Sequence, residues 1–571
     1  MIEFGVVVKA DENLKSVAEK MSNTHLNNGI SGIAVVIDEQ NKVIGTLTDG
    51  DIRKFIISHD DLNANIDSFY NKKPICVTYS HNKKEMHMMA VKQISERQQL
   101  NKNFSIHKIV VLNSDNTLNQ VVLLNGLTED ILSKTVSVYG MGFVGLTLGL
   151  VMANKGFHVI GVDTSEHIVE RLKNNDPHFF ENGLKSLLES SNRRGAMEFS
   201  SNPDEIFTDI YIVAVGTPVD AQNNPNMEYI KQATADISKK IKVGDVIIYR
   251  STLPIGTTRN VIIPILEKSG MHAGEDFFVA FAPERTVEGK AIEEVQSLPQ
   301  IVGGYSNKCK DITSKIFKEI THSVVEVDSL EAAEMVKLLN NTYRDLVFSF
   351  ANEVSYICEQ YNINAFKLIE AANDGYPRNP IPKPSPGVGG ICLSKDPHLY
   401  TNSSNFDFYK PILGSASRQI NGDGHTYVYK KLLDYCEKVS KNIEELDILI
   451  VGLAFKGIPE TSDIRESTAL KLINLLKNKS NIYVKDFIVD KADIESLGVN
   501  YVDDLSISFA NKDIVLFMNN HYLNNRFDTY TCFSSIRNNG LIFDGWNFFR
   551  SDEIEKINDL YYATMGYMSA K

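Results

Sequence analysis

The sequence predicts an α/β fold: two doubly wound domains joined by a long helical connector and preceded by a smaller, paired α+β module. Three observations predict it. From Thr135, and again from Asp447, short apolar runs alternate with helical stretches, the pattern of a mostly parallel sheet covered by helices. Between these regions a helical pattern from about Ser329 to Tyr361 contains no proline or glycine to break it. Ahead of both, residues 1–132 carry one strand–turn–strand pattern twice.

The first copy of that repeat reads GIAVVIDEQNKVIGTLTDGDIRKFI: two apolar strands about a turn at Asp38–Lys42, then a helix. The second, HKIVVLNSDNTLNQVVLLNGLTED, has the same strands, turn and acidic ending. Helical stretches around Asn13–Met21 and Lys83–Gln98 precede the two copies. Two such units can bury a face that neither could bury alone. The arrangement resembles a pair of CBS domains, regulatory modules that often bind adenine nucleotides. That resemblance implies nucleotide contacts at Thr48 and Asp51 of the TDGD run, with no clear equivalent in the second copy.

A chain of 571 residues can bury several cores without disulfides. Its 43% hydrophobic and 23% charged residues are the balance of an ordinary globular protein. The six cysteines form no CxxC pair, and no histidine cluster has zinc spacing, so a reducing compartment is expected and a structural metal is not. The opening MIEFGVVVKADENLK lacks the features of a signal peptide, and MGFVGLTLGLVMA is too short and glycine-rich to span a membrane. A cytoplasmic location is therefore the expectation. A net charge of −13 argues against nonspecific nucleic-acid binding, so the cations for any anionic ligand must be local.

The loop GMGFVG follows the apolar strand TVSVY and opens a helix. Its residues Gly140, Gly142, Phe143, Val144 and Gly145 would bring backbone close to a pyrophosphate lying on the helix N-terminus. Asp163 ends the next strand, where a carboxylate can accept the ribose hydroxyls of NAD and repel the 2′-phosphate of NADP. A lone glycine loop is weak evidence; strand, loop, helix and acid in register predict a Rossmann-like NAD site. Thr217, in the VGTP run after a later strand, can touch the cofactor or cap its turn.

Four separated signatures follow in order: GMGFVGL; STLPIGTT with APERTVEGK; GVGGICLSKDP; and GLAFKGIPETSDIRES. Together they resemble the UDP-glucose/GDP-mannose dehydrogenase family over about residues 134–550. The resemblance implies an NAD-binding domain at 134–325, a central helical domain for dimerisation and the catalytic loop at 326–425, and a UDP-sugar domain at 440–571. It also implies a homodimer or higher homo-oligomer, and four-electron oxidation of a sugar C6 hydroxymethyl to a carboxylate for surface-polysaccharide precursors.

The chemistry can be followed residue by residue. Removing a second hydride from an aldehyde needs a tetrahedral carbon carrying an oxygen anion, which a thiol creates by adding to the carbonyl. Cys392 matches the family's nucleophile, and a nearby cation would be needed to favour its thiolate. Lys337 and Asn341, four apart on the long helix, match the pair that stabilises the oxyanion. Asp396 matches the group that handles the hydrolytic water, Glu288 the acid–base glutamate and Thr252 a water-ordering threonine. Glu284 lies four residues before Glu288, with an ion pair to Arg285 as the plain alternative. Lys383 and Lys456 match substrate lysines, Arg378 an arginine lent across a dimer, and Arg465 a ligand arginine steadied by Asp463.

SPGVGG, PERTVEGK and FKGIPETSDIRES lean toward the N-acetylhexosamine branch, hence UDP-N-acetylglucosamine or UDP-N-acetylmannosamine. Ile391 stands where that branch usually has histidine, and CLSKDP keeps a lysine of the glucose and mannose branches, so UDP-glucose is the alternative. A non-catalytic NAD sensor would lack the nucleophile or its helpers, and all are present.

Overall fold

Each copy of the N-terminal repeat folds into a three-stranded sheet in the computed structural model. The structure describes all residues except 1–5, 23–31, 60, 62, 81–82, 101–107, 124–130, 221–223, 379, 404–410, 558 and 570–571. The acidic ending of the second copy thus falls outside the described residues. Val6–Lys9, Ile33–Ile37 and Val43–Thr48 form one sheet, and Cys76–Thr78, Lys108–Leu112 and Leu118–Leu123 the other. In both, a parallel pair is followed by an antiparallel hairpin. The hairpins shift register at matching points, Val36/Ile37 and Val111/Leu112, and turn through left-handed Asn41 and Asn116. Asparagine tolerates that conformation better than other side chains. Ile33 and Val35 of the first sheet pack with Val110 and Val121 of the second, the shared face that the repeat requires.

Met1–Ser133 forms one compact unit and Lys134–Lys571 another. In the larger unit, Thr135–Tyr139 lies between His158–Val162 and Ile210–Val213 in an eight-stranded sheet, parallel to both. Among the described residues, the one antiparallel pairing in this sheet is that of Gln300–Gly304 with Phe278–Phe281, and Val324–Val327 runs parallel to Gln300–Gly304. A second, seven-stranded sheet repeats the plan, with Asp447–Val451 between Asn481–Lys485 and Ile514–Phe517. Strands such as Ile210–Val213 and Val246–Tyr249 are buried throughout, which explains their unbroken apolar sequences. In each sheet the direction of building reverses at the first strand, and ligands bind at the carboxyl ends beside such a switch point.

The connector helix Leu330–Tyr361 is capped by Ser329, whose hydroxyl accepts the Ala332 amide, and ends at left-handed Asn362. Helices Ile391–Asn402 and Leu413–Gly422 pack on it. A further helix, Gly424–Val439, fills residues that the sequence left between the connector and the last domain.

Candidate active site

Glycine shapes the first loop. Gly140 has φ +92°, and a Cβ on Gly145 would lie 1.9 Å from the Gly140 carbonyl oxygen. A Cβ on Gly142 would meet nothing within 4 Å, so the loop is open where a pyrophosphate would approach the N-terminus of helix Phe143–Lys155. One Asp163 oxygen accepts the Met141 amide at 2.8 Å and the other the Ser165 amide at 3.0 Å. The carboxylate therefore braces the loop while each oxygen retains a lone pair for a ribose hydroxyl. These residues fit NAD.

Cys392 is the second residue of helix Ile391–Asn402, where unpaired amides and the helix dipole favour a thiolate. It is the exposed one of the six cysteines. Its surface is open to solvent, yet the protein crowded around it pushes the thiol up to about 11. Lys337 and Lys395 oppose that rise; Asp396 and Glu288 add to it.

Lys337 is buried and donates from Nζ to the Glu284 carbonyl at 2.5 Å, with the Glu284 carboxylate 3.3 Å away. Burial would lower the lysine's pKa, but Glu284, Cys392 and Asp396 outweigh it and keep the ammonium charged. Burial likewise raises Glu284, and Lys337, Thr286 and Arg250 overcome it, holding the carboxyl below its ordinary value. The expected alternative partner, Arg285, donates instead to the Pro299 carbonyl. Asn341 donates to Asp396 Oδ2 at 2.6 Å. Asp396 is fully buried, and its Oδ1 has no hydrogen-bond partner among the described residues.

Glu288 belongs to the same neighbourhood. Burial and Asp463 raise its carboxyl above the ordinary value, against Lys456, Thr461 and Arg465. Thr461 Oγ1 donates to its Oε2 at 3.1 Å, and Lys456 Nζ donates to its carbonyl at 2.7 Å. Arg465 is held by Asp463 through bonds of 2.8 and 2.7 Å, as expected, and lies in the electrostatic field of Glu288 and Cys392.

The Thr217 hydroxyl donates to the Thr252 carbonyl at 2.7 Å, a bond to the loop after the neighbouring strand rather than a cap of its own turn. Thr217 also receives Lys395 Nζ, at 3.1 Å on its carbonyl and 3.2 Å on its hydroxyl. The nucleophile's helix is thereby tied to the cofactor sheet. Two expected substrate cations are not brought into this cluster. Arg378 is exposed, its guanidinium 5.5 Å from the Tyr376 ring centre, and Lys383 is exposed on the proline-rich loop. In the N-terminal unit Thr48 and Asp51 bond to each other at 2.7 Å.

Beyond the glycines of the third signature, several residues here carried no distinct sequence signal. A Cβ on Gly390, at φ +85°, would lie 2.7 Å from the Phe455 ring, and one on Gly389 would lie 2.4 Å from the Glu466 carbonyl. The glycine loop thus seats directly on the C-terminal signature. Beneath it, buried Arg418 pairs with Asp345 at 2.6 Å and donates to the Val388 carbonyl at 3.3 Å. Asn352 accepts the Ser385 amide at 2.8 Å. Asp345 and Asn352 are seven apart on the long helix, a spacing that puts them on one face and was the only clue. Glu334, earlier on that helix, accepts the Gly256 and Thr258 amides, and burial pushes its carboxyl up to about 7. A cavity of about 600 Å³ between the two sheets' loops is lined by Glu181, Gly289, Lys290, Ile458, Pro459 and Tyr522. Among the described residues no helix is long and apolar enough to cross a membrane.

Sequence profiles of the UDP-glucose/GDP-mannose dehydrogenase family match in three stretches: the NAD binding domain over residues 134–321, the central domain over 331–423 and the UDP binding domain over 449–551. A CBS domain profile matches residues 5–58. The UDP-N-acetyl-D-mannosamine dehydrogenase of Campylobacter jejuni is 34% identical over 361 residues, 61% of this chain and 85% of the relative. That of Pyrococcus horikoshii is 30% identical over 344 residues, 60% of this chain and 81% of the relative. The solved structure of the P. horikoshii UDP-D-ManNAc dehydrogenase superposes with a TM-score of 0.68 at 27% identity, covering 76% of this chain and 99% of that one.

Proposed function

The chain belongs to the UDP-glucose/GDP-mannose dehydrogenase family and carries an N-terminal CBS domain, and from that premise we propose that it oxidises the C6 hydroxymethyl of UDP-N-acetyl-D-mannosamine, or its gluco epimer, to the uronic acid. It is an NAD-dependent oxidoreductase. One observation carries the proposal: an accessible cysteine at a helix N-terminus, with a charged buried lysine and an Asn341–Asp396 pair around it, tied by Lys395 to the cofactor sheet.

Gly140, Gly142, Gly145 and Asp163 would hold NAD, which would supply the hydride acceptor for each of the two oxidations, one NAD molecule per hydride. Glu288, its carboxyl raised by burial, suits removal of the hydroxyl proton as the alcohol becomes an aldehyde. Cys392 sulfur then adds to the aldehyde carbon, and Lys337 and Asn341 donate toward the oxygen of the thiohemiacetal. Loss of the second hydride leaves a thioester on Cys392. Asp396, with one oxygen held by Asn341 and the other 3.9 Å from Lys395 Nζ and without a hydrogen bond among the described residues, suits a role in steering the water that hydrolyses it. Asp163 disfavours a 2′-phosphate and so selects NAD over NADP. Lys456, Lys383 and Arg465 are proposed to meet the nucleotide end of the ligands, and Arg378 to act in a partner's site. The uronic acid product suits a precursor of surface polysaccharide.

A second copy of the chain is the proposed partner, through an exposed apolar stripe on the connector helix. The N-terminal module is proposed to bind an adenine nucleotide at Thr48 and Asp51. Their mutual hydrogen bond already orders the TDGD turn. A ligand regulates only if it binds two conformations unequally, by about 1–3 kcal/mol in most systems.

The test is NADH formation across a panel of UDP- and GDP-sugars. The highest kcat/KM is expected with UDP-N-acetyl-D-mannosamine or UDP-N-acetyl-D-glucosamine, and a clear preference for UDP-glucose would overturn the sugar assignment. The same assay with AMP or ATP added tests the module. A change in apparent KM that Asp51→Ala removes is expected, whereas no effect at millimolar nucleotide would leave the module a structural one.

A further inference from the structure

One loop of the C-terminal α/β domain grips Glu288 and its neighbour at three points. Lys456 Nζ holds the Glu288 carbonyl at 2.7 Å, and Thr461 Oγ1 holds its carboxylate at 3.1 Å. The Glu460 backbone packs against Gly289, whose φ is +92° and where a Cβ would come within 2.4 Å of the Glu460 oxygen. Thr461 is 3% exposed, so water does not compete for its hydroxyl. The Asp463 amide donates to Thr461 Oγ1 at 3.1 Å, fixing one acceptor side of that oxygen. Backbone amides only donate, so the threonine's own proton is left for the nearby carboxylate oxygen.

We propose that Thr461 is a positioning residue for Glu288, setting the orientation and proton affinity of that carboxylate from the nucleotide-binding domain. This rests on the reading of Glu288 as the acid–base group. The consequence is a link between two parts of the reaction. The loop that carries Lys456 toward the substrate's nucleotide also aims the group that moves the C6 proton.

The charged groups facing Glu288 are Lys456, Asp463 and Arg465 from this loop and Cys392 from helix Ile391–Asn402. A hydrogen bond to the charged form of a carboxylate favours that form. Removing the Thr461 hydroxyl therefore raises the affinity of Glu288 for a proton. A base must be deprotonated to act, so activity that rises through its titration would rise at higher pH in the variant.

The experiment compares pH profiles of kcat/KM for UDP-N-acetyl-D-mannosamine in the full-length enzyme and three variants. Thr461→Val should move the acidic limb up by about one pH unit and lower kcat by about tenfold. Its calorimetric Kd for NAD should equal the wild-type value, which shows that it is folded. Thr461→Ser, which keeps the hydroxyl, should restore the wild-type limb. A Thr461→Val limb at the wild-type position, or a Thr461→Ser limb displaced as far as that of valine, overturns the proposal. Glu288→Gln separates the two levels. If it keeps the wild-type limb, the acid–base reading itself fails; if it abolishes the limb while Thr461→Val leaves it in place, only the positioning role fails.

Discussion

Cys392 stands between opposed influences, and their balance is measurable at the single residue. The surrounding protein raises its thiol to about 11, while Lys337 is the largest opposing influence. Only the thiolate is nucleophilic, so alkylation by iodoacetamide should accelerate as pH rises toward that value. As the exposed cysteine of the six, Cys392 should be labelled first. In Lys337→Met the opposing cation is gone, the thiol titrates higher, and labelling at a fixed pH near 8 should slow by about tenfold per unit of displacement. Labelling that is unchanged or faster would mean that Lys337 does not act on the sulfur. Cys392, Lys337, Asn341, Asp396 and Glu288 were named from the family resemblance of the signatures and the connector helix, and the electrostatics and hydrogen bonds of the structure link them as neighbours. Arg418 was not, since its partner Asp345 lies far away in sequence and the bond exists only once helix Leu413–Gly422 packs on the connector. Thr217 was legible only as a choice between two roles, because Lys395, the group that ties it to the nucleophile, approaches from another element.

The connector helix is the element that organises the site, and it has two working faces. Lys337, Asn341 and Asp345 are buried on one side. Met335, Leu339, Tyr343, Phe350, Ile357 and Tyr361 are exposed, and at 3.6 residues per turn they fall within about 80° of arc on the other side. An apolar stripe of that length exceeds what a monomer ordinarily leaves in water, and a two-fold copy of the same helix is its natural cover. If the chain pairs through this stripe as proposed, the wild type should sediment as a dimer and the double variant Leu339→Lys with Phe350→Lys at half that mass; a monomeric wild type, or an unchanged mass in the variant, would overturn this interface. The helix was plain in the sequence from its uninterrupted pattern. The likeness of the two α/β domains at their first loops was not. Asp486 accepts the Leu453 and Ala454 amides as Asp163 accepts that of Met141, and Gly452 has φ +95° beside the +92° of Gly140. The sequence hides this because GLAFKG runs into the loop that reaches Glu288, with left-handed Glu466 and a helix starting only at Thr468.

At the scale of the whole molecule, a repeat of two small sheets and a larger catalytic unit share one chain. The repeat was legible from its strand–turn–strand pattern, and the matching register shifts and left-handed asparagines give its physical basis. The large unit brings Glu288 of the second signature and Arg465 of the fourth into the electrostatic field of Cys392 in the third, and Lys395 of that third signature reaches Thr217 on the cofactor sheet. An alcohol dehydrogenase would need the cofactor loop and a base. A reachable thiol beside a buried charged lysine is what capture and second oxidation of the aldehyde would add to these. The most direct test is therefore the amount of NADH formed when a limiting, known quantity of UDP-N-acetyl-D-mannosamine is exhausted by the wild-type enzyme. Two hydride transfers predict about two NADH per sugar and a uronic acid as the sole product. One NADH per sugar, with the aldehyde released, would contradict the covalent mechanism.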